Sequence, residues 1–185
     1  MISGDGGWTG FDQGLAETFA LMKMPVIGLD AQKYFWNSKT PEETTRAIEK
    51  EIIYRMGKWH RGKFIMVGYS FDANIIPFIV NRLPEYLKNR LAGVDLLSPE
   101  EYGDFEIHVL DMLDLRQNKE GYNVVEETKK ALALKPVCFF KSERPNTTMK
   151  HFMKEGIETV VLPGNHHFND NHRLIVASIL KTGMR

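Results

Sequence analysis

The sequence lacks cysteine pairs, long apolar runs and net charge, and each shortage excludes a class of protein. Its one cysteine, Cys138, lies in the apolar run PVCFF, so an intramolecular disulfide is impossible and a thiolate metal cluster is not expected. No stretch reaches the roughly 18 continuous apolar residues of a membrane span, and the first residues lack the basic and apolar regions of a signal peptide. Because 24 basic side chains balance 24 acidic ones, no net field favours nucleic acid or an anionic membrane as a partner.

The length and composition are those of one globular domain. The chain has 185 residues, of which 43% are hydrophobic and 26% charged, and we expect a single domain over 1–185. Apolar runs alternate with amphipathic segments, which predicts a mostly parallel sheet with helices on both faces. The predicted strands are 24–30, 64–70, 91–98, 105–112, 136–142 and 157–163. The predicted helices are 9–22, 40–59, 71–82 and 169–182, with a short helix within 81–91.

Local signals mark some elements better than others. The helix over 40–59 is the best marked, because Thr40 is a capping residue, Pro41 takes the first helical position and Glu43 follows three residues after the cap. The polar segment 114–130 is expected to be a solvated connection over the sheet edge. The glycine loop SGDGGW (3–8) has only two residues before it for a strand, so we expect the natural chain to begin upstream and 1–185 to lack its N-terminal strand or strands.

The stretch VGYSFDANIIPF (67–78) has the context of a nucleophile elbow. A buried strand runs into Gly68-Tyr69-Ser70 and then into a helical pattern, which is the strand, sharp turn and helix that place a serine hydroxyl above a sheet. Gly68 supplies the small residue needed two positions before the serine. Asp72 stands two positions after it, where a small residue is also expected. Ser70 is therefore the candidate nucleophile of a hydrolase, on a pattern that departs from Gly-x-Ser-x-Gly.

Two further segments supply partners for such a serine. The last predicted strand ends in PGNHHF, which places His166 and His167 after the nucleophile in chain order, as the base histidine of a serine hydrolase is placed. The glycine loop 3–8 exposes backbone amides at a strand end. An oxyanion hole needs one such amide besides that of the residue after the nucleophile, so the predicted donors are Phe71 and Asp5, or Gly6 in place of Asp5.

Four stretches together resemble a known family. They are ISGDGGW, GLDAQKYFWNSKTPEE, VGYSFDANIIPFIVNRLP and PGNHHF, and they resemble the VirJ/AcvB family of bacterial virulence proteins, in the α/β-hydrolase superfamily. The resemblance implies a serine-hydrolase scaffold, usually exported to the periplasm, with some members similar to hydrolases of aminoacylated phosphatidylglycerol. It also implies Ser70 as nucleophile and His166 as base, with His167 as the alternative.

The third member of the triad is where the chain departs from the family. The loop after the penultimate strand reads FKSERPNT, so Asn146 stands where the resemblance implies an aspartate. An asparagine can orient a histidine but cannot stabilise the imidazolium as a carboxylate does. Glu143 in the same loop, or Asp111 or Asp114 after an earlier strand, are alternatives for this role. Asp72 could also supply the lost charge.

Other side chains suggest substrate contacts and an alternative chemistry. The aromatic group Tyr34-Phe35-Trp36 could line an acyl or aminoacyl pocket and hold an ammonium by cation–π attraction, with at least one ring packed in the core. GNHH is also similar to a metallophosphoesterase signature, with four candidate ligands at His166, His167, Asp170 and His172. Such enzymes need more Asp and His ligands from other strands than this chain supplies.

The motifs and the resemblance together predict an α/β-hydrolase-like, doubly wound, mostly parallel sheet with helices on both faces and no large lid domain. The predicted activity is that of a serine esterase or acyl hydrolase that needs no metal and no cofactor. The expected partner is a small-molecule or lipid ester, and the family resemblance implies an aminoacylated phospholipid. The alternative is a catalytically impaired binding protein that keeps the same fold and acts in the cell envelope or in virulence.

Overall fold

The protein is built around a parallel four-stranded sheet. The computed structural model describes residues 1–106, 121–143 and 147–183. The strands are β1 (Phe64–Tyr69), β2 (Leu91–Leu97), β3 (Tyr102–Gly103), β4 (Tyr122–Asn123), β5 (Val137–Lys141) and β6 (Glu158–Leu162). The main sheet has the order β1-β2-β5-β6 and all its pairs are parallel, whereas β3 and β4 form a separate antiparallel pair. The parallel order confirms the predicted α/β class.

Helices connect the strands and cover both faces of the sheet. They are α1 (Gly10–Leu21), α2 (Ala31–Tyr34), α3 (Pro41–Lys58), α4 (Phe71–Arg82), α5 (Glu85–Lys88), α6 (Val124–Lys130), α7 (Thr147–Lys154) and α8 (His172–Gly183). Helices α1 and α8 pack on the face that Val67 and Leu97 present, and α3, α4, α6 and α7 pack on the face of Met66 and Leu96. Burial on both faces explains why the strands are continuous apolar runs.

A capping box marks the start of α3, the helix that the sequence marks best. Thr40 Oγ1 accepts a hydrogen bond from the Glu43 amide at 3.1 Å, and the Glu43 carboxylate accepts one from the Thr40 amide at 2.9 Å. With Pro41 in the first turn, this reciprocal box satisfies amides that would otherwise lack partners. Helix α4 also begins and ends at the predicted residues 71 and 82.

Three predictions for other elements need correction or fall outside the described residues. The strand predicted over 24–30 is wrong as a regular strand, since only Leu29 makes a bridge, to Ile2. From residue 107 onward, the strand predicted over 105–112 lies outside the described residues. The described part of 114–130 is not simply solvated, because Val124 and Thr128 of α6 are fully buried. In the part of the chain that the structure describes, no helix is long and apolar enough to cross a membrane.

Candidate active site

Ser70 occupies a strained turn between β1 and α4. Its backbone angles are φ 54° and ψ −116°, a region that L-residues rarely adopt and that persists only where the surrounding structure holds it. The Ser70 amide donates to the carbonyl oxygen of Leu97 at 2.8 Å, which ties the turn to the carboxyl end of β2. The local fold is therefore the strand, turn and helix that the sequence predicts around this serine.

The structure brings His166 to Ser70. His166 Nε2 lies 3.1 Å from Ser70 Oγ, although 96 positions separate the two residues in the chain. The exposed ring of His167 instead packs near Tyr69 and Phe11, with centroid distances of 5.5 and 5.3 Å. Of the two candidate bases, His166 is thus the one found within hydrogen-bond distance of the hydroxyl.

The loop that carries His166 is fixed from within. Gly164 has φ 113°, and a Cβ on it would stand 2.7 Å from Asn169 Cγ, so only glycine fits. Asn165 Oδ1 accepts from the amides of His167 (2.9 Å) and Asn169 (3.2 Å), and Asn169 Oδ1 accepts from the Asn165 amide at 3.2 Å. The fully buried Phe168 anchors the same loop. These contacts hold the backbone of the loop that carries the imidazole of His166.

Two serines that sequence reasoning missed join this loop to the sheet. Ser98 follows β2, and its Oγ donates to the carbonyl oxygen of His166 at 3.4 Å. Ser142 follows β5, and its Oγ accepts from the Gly164 amide at 3.2 Å. A serine just after each strand was the available signal, since the carboxyl ends of parallel strands meet at one edge where ligands bind.

The predicted oxyanion donors lie at the ends of elements beside Ser70. Phe71 is the first residue of α4, so its amide has no partner within the helix and lies at the positive end of the helix dipole. In the glycine loop, Gly7 donates to the Gly4 carbonyl at 3.0 Å and Gly6 donates to Asp5 Oδ1 at 3.1 Å. Among the described residues no hydrogen bond from the Asp5 amide is found, so Asp5 rather than Gly6 has a backbone donor to offer.

Asp72 is fully buried behind the turn at Ser70. Among the described residues neither of its carboxyl oxygens has a hydrogen-bond partner. Burial raises the pKa of this carboxyl well above its ordinary value, the nearby Asp12 carboxylate raises it further, and the Met1 ammonium opposes them. Burial therefore favours the neutral form of Asp72, which weakens it as a source of the carboxylate charge that Asn146 lacks.

The acid of the triad is the least defined member. Asn146 lies outside the described residues, and so do the alternatives Asp111 and Asp114. Glu143 is described and is exposed to solvent after β5. The part of the chain that the structure describes thus leaves all four as predictions for this role.

The aromatic group divides between core and surface. Phe35 is fully buried and its ring lies 5.6 Å from that of Phe71, the residue after Ser70. Trp36 is 57% exposed. Tyr34 is half-buried, and the Lys39 ammonium stands 6.0 Å from its ring centroid. The prediction that at least one of the three packs is confirmed by Phe35.

The histidine-rich segment does not assemble a metal site among the described residues. No group of three or more His, Cys, Asp or Glu side chains there is placed to hold an ion. His172, one of the four candidate ligands, instead packs its ring against Phe11 at 5.5 Å and against Gly14, where a Cβ would stand 2.3 Å from the ring. Its contacts are those of a residue that joins α8 to α1.

Comparisons with known proteins agree with this architecture. Among solved structures, a crystal structure of the NocB thioesterase domain in covalent complex with a fluorophosphonate nocardicin G analogue aligns with a TM-score of 0.54 and 17% sequence identity, covering 100% of this chain and 92% of that chain. This similarity establishes the α/β-hydrolase fold. No curated protein compared with the chain is a significant match. The family described as "Bacterial virulence protein (VirJ)" matches residues 1–185, and the chain therefore belongs to the VirJ family.

Proposed function

We propose that this protein is a serine hydrolase that cleaves carboxylic esters with Ser70 as nucleophile and His166 as base. The observation that carries the proposal is the 3.1 Å distance between Ser70 Oγ and His166 Nε2, on a turn whose positive φ presents the hydroxyl beyond the sheet edge. A neutral imidazole at this distance can accept the hydroxyl proton as the oxygen attacks.

The reaction uses groups of the chain alone. Ser70 Oγ bonds to the ester carbonyl carbon while its proton passes to His166 Nε2, and the carbonyl oxygen becomes an oxyanion. The intermediate collapses, the bond to the alcohol breaks, and His166 returns the proton to the leaving oxygen. Water then attacks the acyl-enzyme with His166 again as base, which releases the acid and restores Ser70.

Charge that develops on the carbonyl oxygen needs donors already in place. The Phe71 amide at the start of α4 and the Asp5 amide in the glycine loop are our proposed donors. Such preorganised amides contribute on the order of 3 kcal/mol each to the stabilisation of the transition state. Burial raises the pKa of the Asp72 carboxyl and so favours its neutral form, which reduces negative charge next to this oxyanion.

For the substrate we propose an aminoacylated phospholipid. The family resemblance suggests this class, and the exposed ring of Trp36 offers an aromatic face for an ammonium group. The pairing of Lys39 with the Tyr34 ring shows that a cation already lies against this aromatic group. We also propose a periplasmic location, which the family suggests, because such lipids lie at a membrane surface; fractionation of cells producing the native protein tests it.

A second candidate, a binding protein on the same scaffold, is favoured by Asp72. Its two carboxyl oxygens are fully buried and have no partner among the described residues, at a position where the elbow pattern has a small residue. Burial of an unpaired polar group costs on the order of 1–3 kcal/mol, and an enzyme under strong demand for turnover has no evident use for it. In this case Ser70 could be replaced without loss of the protein's cellular effect.

A fluorophosphonate probe separates the two candidates. We expect covalent labelling of the wild type at Ser70, no labelling of Ser70→Ala, and at least about 10³-fold slower labelling of His166→Ala, since the base activates the hydroxyl. His167→Ala is the matched control and should label within about twofold of the wild type. A folded wild-type protein that takes no label would exclude the hydrolase and favour the binding protein.

A further inference from the structure

Tyr69 contacts two separate parts of the candidate site. It is the last residue of β1 and directly precedes Ser70. Its ring centroid lies 5.3 Å from that of His166, with the two ring planes tilted by 49°. On the other side, a Cβ at Gly4 of the glycine loop would stand 3.4 Å from Tyr69 Cδ1. The ring therefore lies against both the base and the loop that carries the proposed oxyanion donor Asp5.

The position of this ring is fixed by the core. Tyr69 is only 6% exposed, and its backbone pairs with Leu97 of β2. The ring packs on Phe11 of α1 at a centroid distance of 4.5 Å, and it belongs to the same buried cluster as Phe168 of the His166 loop. Because a large side chain in a filled core has few conformations open to it, the ring is a rigid surface for the base.

A second ring beside the base, that of His167, gives it less support. Its centroid lies 5.9 Å from that of His166, with the ring planes at 86°. The His167 side chain is exposed, so no filled core holds it in one conformation. The buried ring of Tyr69 is both nearer to the base and better fixed.

The base needs such a support because the third position of the triad is altered. In a triad the carboxylate holds the imidazole in its orientation and also stabilises the imidazolium. This chain has an asparagine at position 146, where the family resemblance implies an aspartate. Aromatic rings whose centroids are about 4.5–7 Å apart attract each other in tilted arrangements. The Tyr69 ring can therefore restrict rotation of the imidazole, which is the orienting part of the carboxylate's role.

We propose that Tyr69 is a positioning residue, whose ring holds the imidazole of His166 beside Ser70 Oγ and supports the glycine loop that offers the Asp5 amide. This inference rests on the proposed hydrolase function. The role belongs to the ring and not to the hydroxyl, since no hydrogen bond of the Tyr69 hydroxyl is found among the described residues. Phenylalanine at this position would keep every contact that the role requires.

Hydrolysis of p-nitrophenyl acetate by three variants of the full chain tests the role. Tyr69→Phe should keep kcat within about twofold of the wild type, because the ring remains. Tyr69→Leu removes the ring but stays apolar, and its kcat should fall about threefold to tenfold with KM within about twofold, as the loss of one aromatic contact in the transition state predicts. Val67→Ala is the matched control. Val67 lies in the same buried cluster, so this variant should lose stability and keep the wild-type kcat.

Nuclear magnetic resonance reads the position of the imidazole without catalysis. The His166 ring signals should shift toward those of a free histidine in Tyr69→Leu, because the ring current of Tyr69 is lost, and should stay near the wild type in Tyr69→Phe and Val67→Ala.

The outcomes separate the positioning role from the hydrolase function. A loss of kcat and a shift of the His166 signals in Tyr69→Leu alone support the proposal. A wild-type kcat in Tyr69→Leu, or an equal loss in Tyr69→Phe or Val67→Ala, would overturn it. If the wild type itself shows no turnover, the hydrolase function fails, and unchanged His166 signals in Tyr69→Leu would still overturn the positioning role.

Discussion

Gly68 lies so close to Asp72 that a Cβ at position 68 would stand 2.7 Å from both the carbonyl carbon and the carbonyl oxygen of Asp72. The same Cβ would stand 2.7 Å from Ile76 Cδ1. Two of these three neighbours are backbone atoms, which cannot move without shifting the start of α4. The turn that presents Ser70 therefore depends on the absence of a side chain at position 68.

Replacement of Gly68 by alanine should lower both stability and activity. We expect the free energy of unfolding to fall by about 1–3 kcal/mol, as overpacking of a close contact does, and fluorophosphonate labelling of Ser70 to slow. Urea denaturation and the labelling rate measure the two effects. Gly62→Ala is the matched control, because a Cβ there meets nothing within 4 Å. Equal stability of both variants would contradict the steric account.

Asp95 should make the protein less stable at alkaline pH. Its side chain is buried, Oδ1 accepts a hydrogen bond from Thr182 at 3.4 Å, and Oδ2 has no partner among the described residues. Burial raises the pKa of this carboxyl from 3.8 to about 8, against the smaller opposing effect of Thr182. The stability from the neutral acid is fully present below pH 3.8 and is lost as the pH rises through about 8.

The measurement compares unfolding free energies at pH 5 and pH 9. Between pH 5 and pH 9, ionisation of Asp95 should lower the free energy of unfolding of the wild type by on the order of 4 kcal/mol. Asp95→Asn cannot ionise at this position, so its free energy of unfolding should fall by that much less. Glu126→Gln, a change at an exposed carboxylate, should keep the wild-type dependence. If Asp95→Asn follows the wild-type curve, the buried carboxyl does not titrate in this range.

The two serines that hold the histidine loop should affect turnover more than stability. Ser98→Ala removes the donor to the His166 carbonyl and Ser142→Ala removes the acceptor of the Gly164 amide. One hydrogen bond contributes about 1 kcal/mol, so each change should lower kcat about fivefold if the full effect reaches the transition state. Ester hydrolysis kinetics check this.

Ser178→Ala provides the control for the serine variants. Ser178 Oγ donates to the Leu174 carbonyl at 2.8 Å within α8, away from the loop, and its loss should leave kcat unchanged. The double variant Ser98→Ala with Ser142→Ala should lose more than either single variant. A wild-type kcat in both single variants would show that the loop holds His166 without them.

The elements that the sequence predicts well are those whose signals are local. Helix α3 begins at its capping box, and the turn at Ser70 follows from a strand that runs into Gly68. The strand predicted over 24–30 fails because a strand needs neighbours along its length, and of these residues only Leu29 makes a bridge, to Ile2. Apolar residues alone do not provide the ladder.

The site shows the same division between local and distant signals. Chain order placed His166 near Ser70, but the choice of His166 over His167 as the base depends on how the Gly164 loop folds, which the sequence pattern does not encode. The signal at Ser98 is weak, since a lone serine after a strand is common. The full burial of Asp72 was also beyond prediction, because charged side chains are rarely buried without a partner.

Restoration of a carboxylate at position 146 tests the degenerate triad. The loss of a triad aspartate to asparagine in a known serine protease lowers kcat about 10⁴-fold, because the histidine is held in the wrong tautomer. If Asn146 takes this place, Asn146→Asp should raise kcat at least about tenfold with little change in KM, since the carboxylate acts on the imidazolium rather than on substrate binding. Steady-state hydrolysis of an activated ester gives both constants.

The companion variant Glu143→Gln separates Asn146 from its neighbour in the loop. If Glu143 orients His166, its amide variant should lose activity by a factor of about 10³ or more, and Asn146→Asp should change little. If Asn146 orients His166, Glu143→Gln should have a kcat close to that of the wild type, because the charge of an exposed glutamate three residues away is screened by water. If neither change alters the activity, Asp111 or Asp114 remains as the acid. Replacement of that residue by asparagine should then lower kcat.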